Sequence, residues 1–348
     1  MSLTRFNNGD FLISTDRSTV STWTNNVNNL STAFTSSTQG VFTSPTSSGQ
    51  FYIEIYDAVS TTTNAEVQYA VSYGHRLGSG SPDFTHDTGS FGKNSSRVTY
   101  GQYRNLIYGD ENQDFTFGTH VPDDIYVINI NRARYRQGLK PGSLNLKLSS
   151  SLAGQGAGGQ TAFDIELTDD SITNPGAKIT NLGRQYNIVS GANGIASGSI
   201  VKQIAESASY GLFYPDAGVI VLNGDAFGVG LKPDRNEPAA NNSDKNPLKI
   251  HKSISSSGHF IVDSEEKVTS QYYFVRARND QYNYSTNPSF ADNTGNLNFT
   301  SMINNPTTYI TTIGMYNDMG DLIAVAKLSQ PIVKDFTKEA LIRVKLDY

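Results

Sequence analysis

The sequence predicts a mainly β protein, on three observations: apolar and polar residues alternate in several separated segments, aromatic strand formers abound, and charged residues are scarce. Tyr and Phe number 19 and 17, while only 17% of residues are charged, against roughly 25% in an average soluble domain. Ser, Thr, Asn and Gly fill the difference, and Ala, Glu, Lys and Leu never accumulate into the long periodicity of a helical protein. The expected architecture is two β-sandwich-like domains with an extended N-terminal arm and a few short helices. The expected division is residues 1–50 as the arm, 51–246 as a β-rich domain with a Gly-rich second half, and 247–348 as an antiparallel β domain.

The arm is polar, with Trp23, Val27, Leu30 and Phe34 as its main apolar anchors. So little apolar area cannot offset an ordering cost of about 1–2 kcal/mol per residue. The arm is therefore expected to order only on assembly, with Trp23, Leu30 and Phe34 filling pockets on a neighbouring protein. From residue 51 strict alternation begins: Phe51, Ile53 and Ile55 share one face, and Tyr52, Glu54 and Tyr56 the other. Val67, Tyr69, Val71 and Tyr73 repeat it after a Thr-rich turn, which predicts an antiparallel pair. Tyr103, Leu106 and Ile107 have helical spacing and predict a short helix over 99–108, with Ser95 or Ser96 near its cap.

Residues 125–130 and the Leu144, Leu146, Leu148 series predict two further strands, with Pro141-Gly142 turning into the second. Residues 149–247 look irregular apart from short apolar runs at 163–167, 210–214 and 219–222, and 235–247 looks like an exposed loop marking the domain boundary. Residues 272–278 predict a strand, and 309–315 with 322–328 a hairpin about 317–321. At the end Ala340, Ile342, Val344 and Leu346 alternate with Leu341, Arg343, Lys345 and Asp347, a strand with one apolar and one largely charged face.

Motifs that carry chemistry are sparse. His75, His86, His120, His251 and His259 have no metal-ligand spacing; His75-Arg76, at a strand end, is the most suggestive pair. Asp110, Asn112 and Asp114 open like a calcium loop, but Phe115 stands where Gly is needed and Val121 where Glu is needed. The Gly-rich stretches lack the Lys-Ser/Thr ending of a phosphate loop, and Glu265-Glu266 sits without an evident aromatic pocket. No catalytic residue, cofactor or metal is expected. Arg132, Arg134 and Arg136, if extended, would present three guanidinium groups on one face to a partner's carboxylates.

The net charge of −5 argues against nucleic acid as a partner, and the absence of Cys excludes disulfides and thiolate chemistry. No run of 18 apolar residues and no secretory leader is evident, so neither membrane insertion nor that export route is expected.

Residues 66–81 (EVQYAVSYGHRLGSGS), 100–107 (YGQYRNLI), 124–130 (DIYVINI) with the Arg-rich run after it, 210–216 (YGLFYPD), 283–290 (NYSTNPSF) and 309–327 resemble virion structural proteins of T-even-type contractile-tailed phages of marine cyanobacteria. That resemblance implies a particle component assembled in the host cytoplasm, partnered by other tail or baseplate proteins and by its own copies. It carries over no catalytic residue. Receptor- or glycan-binding at the tail is the alternative expectation, and a polysaccharide-degrading tail enzyme a third.

Overall fold

The computed structural model describes residues 4–30, 34–35, 52–59, 62–79, 95–149, 164–197, 209–227, 231–233, 235 and 242–347. Strand residues outnumber helical residues by more than two to one, so the protein is mainly β as its alternation predicts. The chain divides into two compact units, a larger one of residues 18–266 and a smaller one that joins the residues up to 17 with those from 267 onward. Strand β1 (Phe11–Ser21) carries the chain from the smaller unit into the larger.

In the larger unit β2 (Phe34–Thr35), β3 (Tyr52–Tyr56) and β4 (Val67–His75) precede α1 (Ser95–Tyr108) and β5 (Asp124–Ile130). Short β6 (Gly138–Leu139) and then β7 (Asn145–Ser149), β8 (Asp164–Asp169), β9 (Lys178–Thr180), β10 (Gly183–Ala192) and β11 (Ile195–Ala196) follow. The hairpin of β12 (Gly211–Tyr214) and β13 (Val219–Asn223), α2 (Asn242–Ser257) and β14 (Phe260–Ile261) complete the unit. One sheet runs in the order β14-β7-β8-β10-β12-β13-β5-β4-β3-β2, with β9 and β11 flanking β10 and every neighbour antiparallel.

The sheet curls. Helix α2 packs against β7 near one end and against β3 and β4 near the other, so the concave face encloses it. The central strands are buried on both sides, which is why they read as unbroken apolar runs. Tyr126, Ile128, Ile130, Phe213, Ile220 and Leu222 face the inner core with Ile250 and Ile254 of α2. Ile125, Val127, Leu212, Tyr214, Val219 and Val221 face a second core with Tyr100 and Ile107 of α1.

Strand β15 (Asp263–Ala277) returns the chain to the smaller unit, where β16 (Thr308–Tyr316), β17 (Leu322–Lys334) and β18 (Ala340–Asp347) follow. A sheet in the order β1-β15-β18 faces the β16–β17 hairpin. Ile313 and Met315 of the hairpin pack with Ile342 and Val344 of β18, while Leu341, Arg343 and Lys345 are exposed, as the terminal alternation predicts.

Three expectations need correction. Residues 18–30 are not an arm awaiting a neighbour. Thr22 donates its backbone N–H to Val262, and Leu30 to Phe260 (3.3 and 3.1 Å), while the Asn29 side chain bonds Gly258 and Phe260. Residues 1–3, 31–33 and 36–50 of the expected arm lie outside the described residues. Residues 242–247 are no loop: they open α2, so the expected boundary at 246/247 falls inside a helix. The stretch taken as irregular contains the ten-residue β10 at the middle of the large sheet, with β8 and β12 on either side.

Candidate interaction surface

The sequence singles out six residues for contact with partners, and most of them are used within the chain. Trp23 is 2% exposed. Its indole N–H donates to the Phe260 carbonyl at 2.8 Å, and its ring meets Phe260 edge-on at 4.8 Å and Tyr69 at 6.2 Å. Leu30 is buried in the same core. Phe34 alone of the apolar three keeps substantial exposure, at the end of the large sheet opposite Tyr56.

The arginines do not form one extended face. The Asn131 side chain accepts from the Ala133 N–H at 2.9 Å and winds residues 132–134 into a 3-10 turn. Arg132 donates to the Tyr135 carbonyl and stacks on its ring at 4.7 Å. Arg134 pairs with Glu66 and Thr24, and Arg136 with Glu266. All three guanidinium groups are thus engaged locally, and their use in recognising a partner's carboxylates loses its basis.

The His75-Arg76 pair does sit in a charge cluster. Asp124, fully buried, accepts from the Tyr73 hydroxyl and is clamped by Arg235, which also reaches Asp225 at 2.8 Å. Arg76 pairs with Asp123 at 2.8 Å, and His120 with Asp225 at 3.2 Å. His75 Nδ1 accepts from the backbone N–H groups of Leu77, Gly78 and Ser79 at 3.0–3.2 Å. That fixes the neutral tautomer with its proton on Nε2, facing Asp124 at 3.9 Å. Burial pushes the His75 pKa down against the pull of Asp124, and pushes the Asp124 carboxyl up against the Tyr73 hydroxyl, His75 and Arg235. His75 is 3% exposed and Asp124 fully buried, and the cluster knits the ends of β4 and β5 to residue 235.

The calcium-like stretch is likewise engaged. Asp110 caps the Asn112 N–H at 2.8 Å, and Asp114 pairs with Arg76 and Arg104. Among the described residues no group of three or more His, Asp or Glu could hold a metal ion. Glu265 and Glu266 diverge, one buried towards Arg184 and the other paired with Arg136.

Unengaged apolar surface collects on the smaller unit. The outer face of the β16–β17 hairpin places Tyr309 opposite Val333, Gly314 opposite Val325 and Tyr316 opposite Leu322, with Ile323 at a bulge beside the last pair. Tyr309, Leu322, Ile323 and Val325 are all more than half exposed. Gly314 makes room for the Tyr316 ring, since a Cβ there would come within 3.0 Å of it. The connecting turn is held by its own hydrogen bonds. The Asn317 side chain accepts from the N–H groups of Met319 and Asp321 and donates to the Asp321 carboxylate at 3.0 Å, while Gly320 takes φ +87°. Met319 stands at the tip, 90% exposed.

No protein-family model, curated protein or solved structure matches this chain. Surface chemistry therefore carries the functional reading, and an exposed apolar sheet face beside a held tip is the kind of surface that marks an interaction site. The signal for it was in the sequence. In residues 322–328 the alternate set Leu322, Ala324, Ala326, Leu328 is apolar, and so are Ile323 and Val325 between them, the pattern of a strand covered on both faces. The structure covers one.

Proposed function

We propose that this protein is a non-enzymatic structural component of a contractile-tailed phage particle, a tail or baseplate scaffold that works through protein–protein contacts. The observation that carries this reading is the outer face of the β16–β17 hairpin, apolar and uncovered within the chain. A patch of that kind is costly in water and is stabilised by a neighbour that buries it, at about 25 cal/mol per Å² of apolar area removed. The sequence resemblance to virion proteins of cyanobacterial phages supports the same assignment. The internally paired charges of the larger unit suit a rigid support better than a reaction centre.

The test is quantitative mass spectrometry of gradient-purified infectious particles, before and after dissociation of tails from heads. The protein should be present in a fixed ratio to tail proteins and should stay with the tail fraction. Its absence from purified particles would end the assignment. Tight binding of the isolated protein to host envelope would move it towards receptor recognition.

A further inference from the structure

The smaller unit carries a second exposed surface, opposite in charge to the hairpin tip. On the outer face of the β1-β15-β18 sheet, Phe274 lies opposite Arg343, Arg276 opposite Leu341 and Tyr272 opposite Lys345. Leu341 is 62% exposed, and Arg276 and Arg343 are exposed with no carboxylate pairing among the described residues. The Arg343 guanidinium lies over the Tyr272 ring at 5.3 Å, which spreads it flat along the sheet. Lys345 is already satisfied by Asp347 at 3.0 Å. Around Arg276, Arg343 and Leu341 this face is apolar and cationic, while Asp347 and Asp16 of β1 act on Lys345.

The tip is apolar and anionic. Asp318 and Asp321 flank Met319, and Asp318 has no cationic partner among the described residues. Since Asn317 already fixes the turn, presenting Met319 and Asp318 costs little further ordering entropy when they are buried.

We infer that the hairpin tip of one copy, through Met319 and Asp318, docks on the Arg276–Arg343–Leu341 face of a second copy. The occupant is a second copy because the two surfaces complement each other in charge as well as in apolar character, and both belong to one chain. They are different patches, so the contact is heterologous: each copy uses its tip on one neighbour and offers its sheet face to another. Such contacts propagate into a ring when the rotation closes and into a filament when it does not. This deepens the assembly reading above and rests on it.

The experiment is sedimentation velocity of the full chain over a wide concentration range, at low and high salt. Wild type should associate with rising concentration, less so at high salt. M319S and D318K should each raise the concentration needed for association roughly tenfold or more, the scale of a hot-spot residue. R343E should do the same, and the double variant D318K/R343E should recover association by restoring opposite charges. These side chains are exposed, and an unchanged melting temperature checks that each variant is folded. A wild-type chain that stays monomeric throughout overturns the contact. Association that survives M319S and D318K also overturns it, yet leaves the particle assignment standing, which only absence from purified particles removes.

Discussion

Trp23 shows how far one side chain can depart from what its neighbourhood in sequence implies. It lies in a polar stretch, yet its ring packs on Tyr69 and Phe260 and its N–H is spent on a carbonyl 237 residues away. Trp23→Ala should therefore destabilise the isolated protein by about 3–5 kcal/mol, the range for a large aromatic removed from a core, with a matching fall in denaturation midpoint. An unchanged midpoint would return the residue to the surface. His251 gives a pH-dependent counterpart. It is buried on α2 with Nδ1 unpartnered, and burial together with Lys252 lowers its pKa to about 4. The unfolded imidazole titrates near 6.5, so between those values the unfolded chain binds a proton that the folded chain refuses. Stability from this group is complete above about pH 6.5 and falls as pH drops towards 4, by up to about 3 kcal/mol. Urea titrations at several pH values should show that slope, and His251→Leu should flatten it. His75, shifted in the same direction, contributes to what remains. His251 shares the helical spacing of Ile250 and Ile254, but the depth of its burial comes from the sheet curled around α2.

Elements with strict alternation or unbroken apolar character were legible, because burial on one face or both writes itself into the strand. Strand β18 is the clearest case. Ile342 and Val344 are buried in the small core at 8% and 7% exposure, and Arg343 and Lys345 face outward. Ile342→Asp should cost on the order of 3 kcal/mol or more by placing an unpaired charge there, and a melting curve identical to wild type would refute the register. The β12–β13 turn offers a backbone test. Gly218 takes φ +67°, and a Cβ there would lie 2.7 Å from the Tyr135 ring. Gly218→Ala should thus destabilise by more than the roughly 1 kcal/mol of a strained backbone alone, since the ring must also move. Strand β10 escaped notice because Arg184, Gln185, Asn187 and Ser190 interrupt its apolar series, so its place is set by β8 and β12 on either side. Helix α2 was hidden by Pro247 in its second turn, although Pro247, Ile250, His251 and Ile254 keep helical spacing and Gly258, at φ +59°, stops it.

At the scale of the molecule, the β class was readable from composition and alternation, whereas the division into units was not. A linear reading places boundaries where composition changes, near 50 and 246. The actual units interleave: the smaller takes strands from both ends of the chain, and only pairing between β1, β15 and β18 reveals it. The candidate interaction surface was half legible, with the apolar character of residues 322–328 in view but its exposure not. The arginine run misled because Asn131 bends it, a local hydrogen bond with no signature in charge pattern. The interleaving also bears on the order of events during synthesis. The first residues of β1 leave the ribosome early but must wait for β15 and β18, completed only after the whole of residues 18–266. At roughly 5–20 residues per second, that is a delay of about seventeen to sixty-seven seconds before β18 is complete. The larger unit is complete in the nascent chain before the smaller can close, so the tip and sheet face that we infer to meet between copies mature last. On the inferred contact, polysomes crowded with nascent chains would then hold no premature assemblies, and a chain truncated before β18 should fail to assemble.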